Sequence, residues 1–371
     1  MKENKPVVLF LCKYQSVYGG NFIPSLIAIE EALNGKGIQC VYAFPPEAEI
    51  RDWFKQLEQT GKKVLTFDFN NSRLQQVKNL SALIKQYDIN IIHLHFTQIV
   101  PFEIFAFLHK DIKVFIHLHS DFSLGKQSFK TKIKNWFIYK FLSGRVHFIS
   151  VSKAFVNYNP VKITWIPNAL AVKRMPCKHI SGAEIRRQYN IGKDEILCEI
   201  LGWSPQVKGV DIAVEAIKRL NLQGGKYKLA IVCGREMTID KMPLWVKGHT
   251  SCSGREDFLL YFHPKEDVFA YHEATDILIS ASRSEGFPYS ILEMLSLGKP
   301  CVISDIPGVT WAKKYPLSFP FKNEDVEECF KAVKQAGKGV AEDIKNNIVK
   351  QIQKDYDINN WVKQVLKEYE K

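Results

Sequence analysis

The chain has 371 residues, which suits two domains, and its 46% apolar and 24% charged composition excludes global disorder. The longest unbroken apolar runs are short, such as VVLFLC at 7–12, so neither a membrane span of roughly 18–20 residues nor a secretory leader is expected. The net charge of +12 is uneven: residues 1–165 carry 21 Lys and Arg against 12 Asp and Glu, the rest 30 against 27, a surplus that suits either an anionic partner or solubility alone.

Residues 6–12 read as a buried strand. Gly19-Gly20 follows, then an apolar periodic stretch from Phe22 to Leu33 that predicts a helix closed by Gly35 and Gly37. Strands are expected at 38–44, 62–68, 89–95, 113–119, 145–152 and 163–167, with helices at 72–87 and 101–109. Short apolar strands alternating with helices predict a parallel sheet covered on both faces. Pro-Asn and Met-Pro break the pattern between Pro167 and Pro176. It then restarts with strands at 195–203, 226–234, 276–282 and 300–305 and helices at 210–220, 265–274 and 289–298. The amphipathic stretch 341–370 reads as helical. The expected fold class is α/β, two doubly wound Rossmann-like domains facing across a cleft, with ligands at the carboxyl ends of the strands. Eight scattered cysteines with no C-x-x-C argue for reduced thiols in a cytoplasmic protein.

The segment SRSEGFPYSILEMLSLGKPCVISDIPG at 282–308 is the most informative. Glu285 precedes a turn, and Glu293 lies inside the helix that follows. At 1.5 Å per residue they stand about 12 Å apart along the axis. That is too far for two carboxylates acting on one bond, which need roughly 5–10 Å, but it suits two contacts on one elongated ligand. The helix start between them favours phosphate. Hydroxyls at both ends and phosphate in the middle describe a nucleotide sugar.

This segment resembles the E-x7-E signature of retaining glycosyltransferase family 4, whose fold is GT-B. LGWSPQVKGVDIAVEAI at 201–217, VSKAF and VKITWIPNAL within 151–170, the strands DINIIHLH and KVFIHLH, and Gly19-Gly20 resemble other family segments in order. The resemblance implies an acceptor-binding domain at 1–168, a nucleotide-sugar-binding domain at 169–345, and a helix at 346–371 crossing back onto the first. Glu285 would contact the transferred sugar, with His119 at the reaction centre as the second catalytic residue. Glu293 would accept from the ribose hydroxyls and Lys208 would neutralise the diphosphate. The backbone N–H groups from Gly286 through Phe287 and Pro288 to Tyr289 would cradle sugar and phosphate. Gly20 would let its loop approach the phosphates without a Cβ. Where the family has an Arg after Gly202, this chain has Trp203; Arg235 or Arg283 would then supply the missing charge. The segment after Pro307 lacks the family's Gly-Gly and following Glu.

The implied reaction is transfer of a hexosyl group from a nucleotide diphosphate sugar to a hydroxyl, with retention. The expected acceptor is a lipid-linked glycan in surface polysaccharide biosynthesis. The rival reading is a catalytically weak relative serving as a binding or scaffold subunit, which Trp203 keeps open; a nucleotide-sugar epimerase would need acid groups that are not identified. The D-x-D triplet Asp355–Asp357 reads as solvated surface, and no metal or other cofactor is expected. His93, His95, His117 and His119 form two H-x-H pairs whose members face the same way, so a metal is conceivable; satisfied core or cleft histidines are the preferred reading for His93 and His117. In 126–145, Lys126, Lys130, Lys132, Lys134, Lys140 and Arg145 mix with Phe129, Ile133, Trp136, Phe137 and Phe141 at helical spacing. This reads either as an ordinary helix with a basic face or as a docking helix on an anionic membrane, at the inner face. No nucleic-acid module is present.

Overall fold

The computed structural model describes residues 6–97, 109, 111–119, 130, 133, 136–137, 140–141, 146–153, 162–171, 180–234, 237–263 and 268–371. The chain divides into two compact units, residues 1–175 with 358–371, and residues 176–357.

In the first unit β1 (Val7–Cys12), β2 (Gln39–Phe44), β3 (Lys63–Thr66), β4 (Ile91–His95), β5 (Lys113–Leu118), β6 (Val146–Ser150) and β7 (Ile163–Trp165) form one sheet in the order 3-2-1-4-5-6-7. All of its pairings are parallel. Every residue of β1 is buried, as a strand covered on both faces requires. Val8, Phe10 and Cys12 join a core with Phe22, Leu26 and Ile29 of helix Phe22–Asn34 and with Trp361, Val365 and Leu366 of helix Ile358–Tyr369. Val7, Leu9 and Leu11 enter the opposite core with Leu80, Ile92 and Ile116. The period-2 alternation of a strand thus feeds two cores from one apolar run.

The second unit carries β8 (Ile196–Leu201), β9 (Tyr227–Val232), β10 (Leu259–Phe262), β11 (Ile277–Ser280), β12 (Cys301–Ser304) and β13 (Ser318–Phe321) in the order 10-9-8-11-12-13. These are again all parallel. Counted from β8, this is the doubly wound 3-2-1-4-5-6 arrangement.

The structure corrects several expectations. The division falls at 175/176 rather than after 168. The C-terminal stretch is two helices, Glu342–Asp355 and Ile358–Tyr369. The first belongs to the second unit, so the chain returns to the first unit at 358, not 346. Tyr356 caps the first of them, its buried ring packed edge-on against Phe287 at 5.4 Å and Trp311 at 5.2 Å. Helix Asp52–Gln59, helix Met242–His249, helix Val326–Ala336, β10 and β13 were not anticipated. The helix expected at 101–109 lies outside the described residues except for His109, as do most of 126–145 and Arg235. Among the described residues, no helix is long and apolar enough to cross a membrane. Seven of the eight cysteines are described, all free and buried.

Candidate active site

In open α/β sheets, ligands bind at the carboxyl ends of the strands where the strand order reverses. In the second unit that point lies between β8 and β11, which pair only through Ile277↔Cys198 and Leu278↔Glu199. The loops leaving these two strands meet. A Cβ on Gly209, whose φ is +67°, would stand 2.1 Å from the Ala281 carbonyl oxygen, so only glycine permits the approach. The Arg283 N–H donates to the Val207 carbonyl at 2.8 Å.

That approach brings Lys208 to Glu285. Lys208 Nζ lies 2.5 Å from Glu285 Oε1, and Ser282 Oγ donates to the same oxygen at 2.7 Å. The lysine and glutamate side chains are 16% and 12% exposed, so the pair is largely withdrawn from water yet reachable. Trp203 presents its ring 5.0 Å from Lys208 Nζ. Where the family pattern has a second cation, this chain therefore has an aromatic face holding the first one. Arg283 is engaged with acidic groups of its own unit. It donates to Asp211 at 2.7 and 3.1 Å, to Glu324 at 2.8 Å, and to the Gln206 carbonyl. These partners, Asp211 foremost, raise its pKa further above the ordinary arginine value.

Glu293 occupies a different environment. It lies on helix Tyr289–Ser296, is buried, and its Oε2 is 3.0 Å from His272 Nε2. His272 Nδ1 is 3.0 Å from Glu199 Oε2, which also accepts from Thr275 Oγ1 at 2.9 Å. The result is a buried Glu199–His272–Glu293 chain. Burial opposes charge on His272, but the two carboxylates, Glu199 first, outweigh it and lift its pKa from the ordinary 6.5 to about 10. Lys299 adds a second cation, donating to the carbonyls of His272 at 2.9 Å, Glu273 at 2.6 Å and Thr275. Neither Glu199 nor His272 was anticipated. The available signal was a glutamate inside the otherwise apolar strand ILCEIL.

Between the two acids runs the turn 286–288. Pro288 has no N–H, so it cannot donate as expected; Gly286, Phe287 and Tyr289 can. Pro288 stands before the helix in extended conformation, and no side chain caps the helix. The Phe287 ring is buried, stacked on Trp311 at 4.2 Å, which anchors the turn. A Cβ on Gly308 would lie 1.9 Å from the Glu285 carbonyl oxygen, so the segment after β12 closes directly on the turn.

In the first unit, His119 follows β5. Its ring stacks on Phe96 at 4.1 Å and meets Phe22 edge-on at 5.6 Å, and its Nε2 is 2.9 Å from His95 Nδ1. Phe96 holds φ at +56°, a left-handed conformation that costs roughly 1–3 kcal/mol in a bulky residue and gathers at functional sites. His93, His95 and His117 line the same sheet face. Burial first, with the neighbouring rings adding to it, pushes His93, His95 and His119 well below the ordinary histidine value, and burial alone takes His117 to about 3. The expectation of satisfied histidines needs correction: among the described residues, His93 Nε2 and both nitrogens of His117 meet no hydrogen-bond partner. Gly20 has φ of +53°, while a Cβ there would find only ordinary contact, 3.5 Å from Tyr18, so backbone angle rather than space calls for glycine. Asp355 of the D-x-D triplet accepts from Lys314 Nζ and Tyr315 Oη, both at 2.7 Å.

Two doubly wound parallel sheets, with a lysine–carboxylate pair at the switch point of the second, define a two-domain α/β protein of the GT-B class. Two family models match, Glycosyltransferase Family 4 over residues 27–174 and Glycosyl transferases group 1 over residues 198–338. The chain belongs to this family of glycosyltransferases. Among solved structures, Anabaena HepE in complex with UDP and glucose is similar, with a TM-score of 0.76 at 16% identity over 98% of this chain and 99% of that one. A glycosyltransferase from Rickettsia africae gives 0.74 at 17% identity over 99% and 98%. TarM of S. aureus gives 0.70 at 12% identity over 98% and 99%. No curated protein sequence matches.

Proposed function

We propose that the chain moves a hexosyl group from a nucleotide diphosphate sugar to a hydroxyl acceptor with retention of configuration. The observation that carries this reading is the Lys208–Glu285 pair beside an uncapped helix start at the switch point. The structures of Anabaena HepE in complex with UDP and with UDP-glucose support the donor class. On donor binding, Lys208 exchanges Glu285 for the diphosphate and takes the charge-balancing role a divalent ion has elsewhere, so no ion is required at the phosphates. Glu285, released, accepts from hydroxyls of the transferred sugar. The N–H groups of Gly286, Phe287 and Tyr289 and the helix dipole add stabilisation to the leaving phosphate. Glu293, held by His272, accepts from the ribose hydroxyls. The acceptor hydroxyl attacks from the face the phosphate leaves, and a phosphate oxygen takes its proton, so positioning and charge stabilisation do the chemistry. By the family resemblance, His119 is proposed as a catalytic residue and Gly20 as a donor-binding one.

The test is a panel of nucleotide sugars in a thermal-shift assay, followed by transfer assays on the purified chain. A donor at 100 times its dissociation constant stabilises by roughly 2.7 kcal/mol. Glu285→Gln is expected to abolish transfer, and Glu293→Gln to abolish the donor-induced shift. An unchanged shift in the double amide variant would sink the assignment. Transfer by the chain alone separates an enzyme from a scaffold subunit.

The proposed acceptor is a lipid-linked glycan, and the proposed partner an anionic membrane surface. Ile133, Trp136, Phe137 and Phe141 are 42%, 39%, 62% and 58% exposed at one-face helical spacing. Lys130 and Lys140 are exposed beside them, and Lys140 Nζ is 4.8 Å from the Trp136 ring. Four solvent-facing apolar side chains on one stripe favour docking over an ordinary domain helix. Each basic residue near the surface adds roughly 1 kcal/mol. Flotation with phosphatidylserine vesicles at low salt is expected to carry the chain, and Trp136→Ser with Phe137→Ser to release it. Absence of flotation removes this part of the proposal.

A further inference from the structure

Register places His95 of β4 beside His117 of β5, while His93 sits two residues back on the same face of β4. All three are buried, beneath the helix Ile358–Tyr369 that packs over this face. The ring centroids of His93 and His95 are 4.1 Å apart, and those of His93 and His117, and of His95 and His117, are 5.4 and 5.2 Å apart. One ring nitrogen from each can be chosen so that all lie within 4.8 Å of one another.

The hydrogen bonds of these rings sort their nitrogens. His93 Nδ1 is 2.7 Å from the Tyr369 hydroxyl, and His95 Nδ1 is 2.9 Å from His119 Nε2. Among the described residues, His93 Nε2, His95 Nε2 and both nitrogens of His117 have no hydrogen-bond partner, although all are buried. Buried polar atoms are nearly always partnered, and four such nitrogens on three adjoining rings form a cluster that calls for a shared partner. If each Nδ1–H donates outward, to Tyr369 and to His119, the Nε2 lone pairs of His93 and His95 are left for one ligand. A ligating histidine commonly donates its other N–H to an oxygen or nitrogen acceptor in this way.

We propose that His93, His95 and His117 bind one divalent transition-metal ion, zinc by the character of three neutral imidazoles. This site lies in the first unit and does not depend on the Lys208–Glu285 pair. Zinc bound to nitrogen at about 2.0–2.1 Å in tetrahedral geometry draws its donors to about 3.3 Å from one another. Reaching that spacing from 4.8 Å requires the rings to turn, His93 and His117 from a stacked pair whose planes differ by 11°. Three histidines leave a fourth position for water. The ion would tie β4 to β5 and, through His93 and Tyr369, the sheet to the last helix. Through His95 it would orient the His119 ring.

The test uses the full-length chain, stripped with chelator, dialysed against Zn2+ or Co2+ and freed of excess ion. Elemental analysis is expected to find one ion per chain. The Co2+ form is expected to show the visible absorption of a tetrahedral site, and the zinc absorption edge to report nitrogen and oxygen neighbours only. The thermal midpoint should rise on loading. His117→Gln and His95→Gln should each lower uptake at least tenfold, while His109→Gln, outside the cluster, should not. Uptake well below one ion per chain by the folded wild-type chain, sulfur among the neighbours, or undiminished uptake by folded His117→Gln overturns the proposal. The wild-type measurements decide it even if a variant fails to fold.

Discussion

Lys208→Met is expected to lower kcat/KM for transfer by about 10²–10³-fold, because it removes the cation that pairs with Glu285 near the helix start. The change should fall mainly on kcat, since charge on the leaving phosphate grows toward the transition state. Steady-state kinetics across donor concentrations would measure this, with circular dichroism to establish that the variant is folded. Glu285 keeps its hydrogen bond from Ser282 and some exposure to water, so the cost to stability should stay near 1–3 kcal/mol. Trp203→Ala should give a smaller loss of the same kind, because the ring orients Lys208 rather than contributing charge. A Lys208→Met enzyme of undiminished kcat/KM would remove the lysine from the mechanism.

His272→Ala is expected to destabilise the second unit by about 3–5 kcal/mol, because it leaves Glu199 and Glu293 buried without the group that joins them. Urea unfolding followed by tryptophan fluorescence would measure it. The same residue sets a pH dependence. Its folded pKa of about 10 lies above the ordinary 6.5, so the protonated form is stabilised by folding. The contribution is complete below about pH 6.5 and is lost as pH rises toward 10 and through it. Wild-type stability should therefore fall over that alkaline window, and His272→Gln should flatten the fall. An equal fall in the variant would assign it to other groups. Donor affinity should weaken across the same window if His272 holds Glu293 in place.

The alternation of strands and helices was legible in the sequence because it depends on local periodicity: a six-residue apolar run such as VVLFLC is buried on both faces wherever it folds. The spacing of Glu285 and Glu293 about a helix start, and Lys208 at the head of another, were legible for the same reason. Helix Asp52–Gln59 was missed because its eight residues leave little room for a period to show.

What tertiary structure decided is which charges remain available. Arg283, a sequence candidate for the diphosphate, is paired with Asp211, 72 residues away, and with Glu324, 41 away. Glu199, His272 and Glu293 come from a strand and two helices, and no local pattern shows that they form one buried chain. The four histidines on one face were visible as two H-x-H pairs, but parallel register and the last helix determine that three are buried with nitrogens unanswered. Sequence fixes conformation through neighbours a few positions apart, whereas the pairing of buried polar groups depends on contacts across tens to hundreds of residues, which arise only when the sheets assemble.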